Sequence, residues 1–286
     1  MTHPNPKRGL LDRIVLRSRK LGFTDIFHAS VQRKRTLGKL YILLFGTPHL
    51  GVFANGLYLK RALKNRVVTS VLDAGCGDGT FAFYVASHSP EAHITGVDIG
   101  EQGLHSVDST LDICKRIHQE VPLTNLHFEQ LDLRELQVEN AFDFIYCFDV
   151  LEHIRENKLV LENIYRALQV HGLFLFRIPN RIQQRILSSR FTQEHAKWAA
   201  IEHVGQHYEM ESLLADLGNI GYKVHSAIYT NGTWGRLSFE LLEAMRYLRF
   251  PEALQFGLTP FLKALQWMDT RSKTTNGDGL LVLCGK

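Results

Sequence analysis

Val71-Leu72-Asp73-Ala74-Gly75-Cys76-Gly77-Asp78-Gly79 joins an apolar run ending in a carboxylate to three glycines at alternate positions. Nineteen residues beyond Gly79, Gly96-Val97-Asp98-Ile99 closes a second apolar run with another carboxylate. Glycine has no Cβ, so it accepts left-handed backbone and lets main-chain N–H groups come close to a ligand. An acid at the end of the following strand can hold a pair of ribose hydroxyls. The stretch therefore predicts a strand, a tight turn and a helix wrapped around a nucleoside-bearing ligand.

Working outward, strands are expected at 70–73, 93–98, 126–131, 142–148 and 173–178, with helices at 80–88, 104–120 and 158–168 between them. Such alternation implies a parallel sheet with helices on both faces. Past Pro179 the order changes. A helix is expected at 209–217, a strand at 222–230 and a last strand at 280–285, with two amphipathic helical stretches, 238–249 and 258–268, between those strands.

The 286 residues carry a net charge of +4, which hides an asymmetry. Residues 1–66 hold 14 Lys and Arg against Asp12 and Asp25, a net +12, leaving −8 for the rest. Residues 8–45 read as helical, so 1–66 is expected to be a basic helical arm or lid on a domain spanning 67–286, with a helical insertion at about 231–279. A basic arm on an acidic body suits an anionic membrane surface or another anionic contact. The four cysteines form no CxxC pair, which argues against a thiolate zinc site and a disulfide framework. With no bilayer-length apolar run, a cytoplasmic protein is expected, peripheral at a membrane if the arm binds one.

The glycines fall as GxGxG, with Thr80 where the dinucleotide fingerprint has its third glycine. Together with Leu131-Asp132-Leu133 and Phe148-Asp149-Val150-Leu151-Glu152-His153-Ile154, this resembles the class I S-adenosylmethionine (SAM)-dependent methyltransferases, over 67–180 most closely and 200–230 less so. The resemblance implies an α/β fold: a Rossmann-like class I methyltransferase sheet ending in an antiparallel hairpin, here with an N-terminal helical arm and a helical insertion near the C-terminus. It implies SAM as cofactor. Gly75, Cys76, Gly77 and Gly79 would line its path, Asp73 its amino acid moiety, Asp98 its ribose, and Ile99, Asp132 and Leu133 its adenine. Phe148 and Asp149 would lie near the sulfonium.

Methyl transfer from a sulfonium needs orientation, and a base when the acceptor must lose a proton. His203 and His207, in Glu202-His203-Val204-Gly205-Gln206-His207-Tyr208, and His153 in the bend are the catalytic candidates, and His195 could sit on a lid. Asp149, Glu152 and His153 with His203 or His207 would also suit a divalent ion, although no metal ligand is assigned. Aromatic residues in 37–58 and 234–267 favour a small lipophilic or aromatic acceptor, methylated at oxygen or carbon. The alternatives are an RNA or protein methyltransferase gripping its substrate with the arm, and a non-catalytic SAM-binding assembly protein. Nucleic acid is disfavoured because Phe148-Asp149-Val150-Leu151 stands where base-methylating families carry an NPPY-like clamp.

Overall fold

The computed structural model describes residues 41, 44–46, 48–100, 109–120 and 122–286. The first forty residues of the expected arm lie outside these, as do 104–108 of one expected helix.

In chain order the elements are α1 (Leu50–Leu63), β1 (Ser70–Ala74), α2 (Thr80–His88), β2 (His93–Asp98), α3 (Thr110–Glu120), β3 (Leu126–Gln130), β4 (Phe142–Phe148), α4 (Asn157–Ala167), β5 (Leu168–Pro179), α5 (Gln193–Glu202), α6 (Met210–Ile220), β6 (Lys223–Thr230), α7 (Thr233–Tyr247), α8 (Glu252–Asp269) and β7 (Gly279–Gly285). They fall into two compact units. Val68–Leu133 forms the body of the first; His49–Val67 and Arg134–Lys286 form the second.

In the first unit β2 pairs in parallel with β1 and β3, setting Ala74 opposite Val97 and Asp98 opposite Gln130. Val71, Leu72, Asp73 and Ala74 are all buried, the pattern of a parallel strand covered on both faces. Helix α3 buries Leu111, Cys114 and Ile117, spaced three apart, and turns Asp112, Lys115 and Arg116 outward. Burial of a side chain the size of Leu111 or Ile117 contributes about 1.5–3 kcal/mol.

In the second unit β4 and β5 run parallel, with Phe148 opposite Arg177. Strand β7 is antiparallel to both β5 and β6 and lies between them. This is the terminal hairpin expected from the sequence, and the seven strands carry the Rossmann-like class I methyltransferase connectivity. Helices α7 and α8 are inserted between β6 and β7 and bury Met245, Leu262 and Leu265 with Leu50 of α1. The Lys263 ammonium sits 4.5 Å from the centre of the Phe53 ring, and Arg61 Nη2 donates to the Thr270 carbonyl at 2.9 Å. Helix α1 thus packs onto the helical insertion.

Helix α5 was not expected. None of its residues is buried, so no apolar stripe marks it in the sequence.

Candidate active site

The glycine turn is built as its sequence requires. Gly75, Gly77 and Gly79 have φ of 83°, 54° and 81°, the left-handed region that costs other residues energy. The Gly75 and Cys76 N–H groups both donate to the Val97 carbonyl at 2.9 Å, which ties the turn to β2. A Cβ on Gly79 would stand 3.0 Å from ring atoms of Phe128 and Phe83, so space as well as φ demands glycine there. A hydrogen bond with Cys114, then burial, pushes the Cys76 thiol up, which leaves it a packing group and a poor nucleophile.

Asp98, at the end of β2, accepts from Gly77 N at 2.9 Å through Oδ2, and from Gly100 N at 2.9 Å and Thr110 Oγ1 at 3.3 Å through Oδ1. Carboxylate oxygens have about four acceptor sites between them, so capacity remains for a ribose hydroxyl. Asp73 is buried at the end of β1, and Ile99 stands 45 % exposed just past β2. Asp132 is half-buried and Leu133 buried, immediately after β3. The first unit therefore gathers Asp73, Gly75, Cys76, Gly77, Gly79, Asp98, Ile99, Asp132 and Leu133 at or just beyond the C-terminal ends of three parallel strands, where ligands bind in open α/β sheets.

In the second unit the bend after β4 is held by side chains. Phe148 is buried, and Asp149 adopts φ 55° without being glycine. Its carboxylate is gripped from two distant elements: Asn55 Nδ2 of α1 donates to Oδ2 at 2.8 Å, and Arg177 Nη1 of β5 pairs with Oδ1. Arg177 Nε also donates to Thr230 Oγ1 at 3.1 Å. Such ties offset the one to three kcal/mol, roughly, that a left-handed non-glycine costs.

Beyond the bend, Leu151–His153 forms a single 3-10 turn. Gly205 packs so tightly on it that an added Cβ would stand 2.6 Å from the Ile154 carbonyl oxygen. Gly205 N donates to Glu152 O at 2.9 Å, and Asn157 Nδ2 donates to the Leu151 and Gln206 carbonyls. These bonds set the His203 ring 5.1 Å from the His153 ring, with Trp198 of α5 at 5.5 and 6.0 Å from the two. His195 lies 5.4 Å from Trp198 and 4.9 Å from Phe239. His207 is exposed, its ring 6.3 Å from that of His203.

The protonation states in this cluster are unusual. Burial, then the neighbouring His153, His195 and His207, lowers His203 to about 4. Burial, then the Asp149 charge, raises Glu152 to about 8. Glu152 Oε2 is buried and meets no hydrogen-bond donor among the described residues. His153 Nδ1 lies 3.1 Å from the Glu202 carbonyl. A carbonyl only accepts, so Nδ1 carries a proton and Nε2 is the nitrogen turned away from this bond. One ligand atom each from Glu152, His153 and His203 falls within 4.8 Å of the others. An orphaned carboxyl oxygen beside two imidazoles fits a divalent cation. Asn55, Arg177 and Trp198 escaped the sequence reading. Arg177 alone left a signal, as the one charge in the apolar run Leu173-Phe174-Leu175-Phe176-Arg177-Ile178.

A family described as "Methyltransferase domain" matches residues 66–231. Among curated proteins, ubiquinone biosynthesis O-methyltransferase of Coxiella burnetii is 31% identical over 112 residues, 39% of this chain and 44% of that protein. (S)-coclaurine N-methyltransferase of Papaver somniferum is 30% identical over 117 residues, 41% and 31% of the two chains. The chain thus spans less than half the length of these relatives. Among solved structures, phosphoethanolamine N-methyltransferase 2 of Haemonchus contortus with SAM superposes with a TM-score of 0.56 at 18% identity, covering 98% of this chain and 60% of that one. A SAM-dependent methyltransferase from Mesorhizobium loti gives 0.55 at 18% identity, over 82% and 98%. With more than half of its length matched by the family and its strands so connected, the chain belongs to the class I SAM-dependent methyltransferases.

Proposed function

We propose that the protein transfers the methyl group of SAM to a hydroxyl oxygen, or to an activated carbon, of a small lipophilic or aromatic acceptor. The observation that carries this reading is the cluster of His153, His203, Trp198 and His195, which gathers planar rings and imidazoles beyond the bend at Asp149. Aromatic walls suit a planar acceptor. The ubiquinone-pathway relative acts, by its name, in the biosynthesis of such a molecule.

The acceptor oxygen attacks the methyl carbon, the carbon–sulfur bond breaks, and S-adenosylhomocysteine leaves as a neutral thioether. The hydroxyl proton passes to an imidazole, at His203 or at His153 Nε2, and from there to water; His207, exposed, is the third candidate. In this assignment Asp73, Asp98 and Asp132 hold the methionine amino group, ribose and adenine of SAM, and Gly75 to Gly79 give its path. His203 stays neutral at physiological pH and so accepts hydrogen bonds, but at about 4 it is a weak base for a phenol of pKa near 10.

That weakness, with the orphaned Glu152 oxygen, favours a second reading of the same reaction: Glu152, His153 and His203 hold a divalent ion. Such an ion would act as a Lewis acid, making the acceptor hydroxyl easier to ionise. The chain's own contribution is then to position the acceptor and keep the His203 imidazole unprotonated.

Incubation of the full chain with methyl-labelled SAM and fractionated cell extract tests the proposal. Label is expected in the small-molecule or lipid pool. Label in RNA or protein would overturn the acceptor class, and SAM binding without any transfer would favour the assembly protein. Transfer that survives exhaustive chelation would remove the metal reading.

A further inference from the structure

Helix α8 is inside out for a helix in water. Its buried positions include Thr259, Lys263, Gln266 and Asp269 beside Leu262 and Leu265. After Glu252, every exposed residue of the helix is apolar or glycine: Ala253, Leu254, Gly257, Leu258, Phe261, Ala264, Trp267 and Met268. These recur at helical spacing and form one apolar face along four turns. Phe261 is 56 % exposed, and the link from α7 adds Tyr247 and Leu248 at 53 % each. A contiguous apolar face of this kind marks an interaction site.

The charges around it identify the partner. From 246 to 273 the exposed charged residues are Arg246, Arg249, Arg271 and Lys273 against Glu252 alone. Arg246 is paired with Glu243, which leaves Arg249 near one end of the face and Arg271 and Lys273 at the other. The Arg271 guanidinium lies 3.7 Å from the centre of the Trp267 ring, a basic head over an amphipathic indole. No described helix is long and apolar enough to cross a bilayer, and α8 carries Lys263 and Asp269 on its other side.

We propose that α8 lies flat on an anionic phospholipid surface, its apolar face sunk among the acyl chains and its basic C-terminal end, Arg271 and Lys273, at the headgroups with Arg249. This is the arrangement of interfacial amphipathic helices. The inference stands whether or not the acceptor is lipophilic.

Flotation of the full chain with phosphatidylcholine vesicles, with and without phosphatidylglycerol, tests it. Binding is expected to the anionic vesicles and to weaken as salt rises. Leu258→Ser with Phe261→Ser is expected to lower vesicle affinity about tenfold or more, because two large side chains no longer enter the acyl region. SAM binding by the same variant is expected to be unchanged, which shows that it remains folded. Replacing Arg249, Arg271 and Lys273 by Gln is expected to weaken the preference for phosphatidylglycerol. No binding by the native chain, or equal binding by the serine variant, overturns the proposal. A native dimer that the serine variant converts to monomer overturns it too, in favour of a second copy.

Discussion

Two strand ends in this molecule turn through left-handed backbone, and they do so by opposite means. After β1 the turn uses Gly75, Gly77 and Gly79, which need no partner to hold positive φ. After β4 it uses Asp149, which is held by Asn55 and Arg177 from elements 94 and 28 residues away in sequence. The first solution is local and leaves the backbone free to meet a ligand. The second is cooperative, making the geometry of the bend depend on α1 and β5 being in place.

The sharpest way to break that contrast is Arg177→Met. Asp149 then loses its cation while keeping its strained φ. Because Asp149 is about one-third exposed, the loss is set at the low end of that for a buried pair, about 3 kcal/mol, read as a fall in the urea midpoint. An unchanged midpoint would mean that the bend holds itself.

On the glycine side, Gly79→Ala is expected to cost about 2 kcal/mol, from positive φ and the contacts with Phe83 and Phe128. SAM affinity measured by calorimetry should fall with it. A full-affinity variant would show that the turn adjusts without its glycine.

The smallest effect concerns pH. Glu152 is raised in the folded state, so its contribution is complete below the unfolded value near 4.5 and is lost as pH rises towards 8. His203 is lowered, so its contribution is complete above about 6.5 and is lost as pH falls towards 4. Around pH 7 the Glu152 term dominates and stability should decline by about 1 kcal/mol per pH unit, until the Lys263 ammonium, lowered by burial to about 8, begins to oppose it near pH 8. Glu152→Gln is expected to flatten that decline, as measured by urea unfolding across the window. An identical slope in the variant would remove the raised carboxyl from the account.

The contrast also explains what could be read from sequence. Asp73 to Gly79 and Asp98 lie at two adjacent strand ends, so spacing alone located the glycine turn and the acid of the next strand. Strand alternation likewise placed β1 to β7 within a residue or two, apart from β5, which starts five residues earlier than expected. The bend at Asp149 was visible as a motif, but its supports were not. Nothing local to Asn55 announces a partner 94 residues on, and helix α5, which brings Trp198 and His195 to His203, has no buried face to give it periodicity. The proximity of His203 to His153 depends on the close approach at Gly205, a three-dimensional fact carried by one unremarkable glycine.

The position of β7 has a consequence for biosynthesis. Strand β6 pairs with β7 and with no other strand among the described residues, yet both α7 and α8 are translated between them. During synthesis β6 must therefore wait, its edges unsatisfied, while the ribosome adds a helical pair with an outward apolar face. Long-range closure of this kind slows folding and prolongs exposure of sticky surface. A nascent chain stalled just before Gly279 is accordingly the species that a chaperone would be expected to hold.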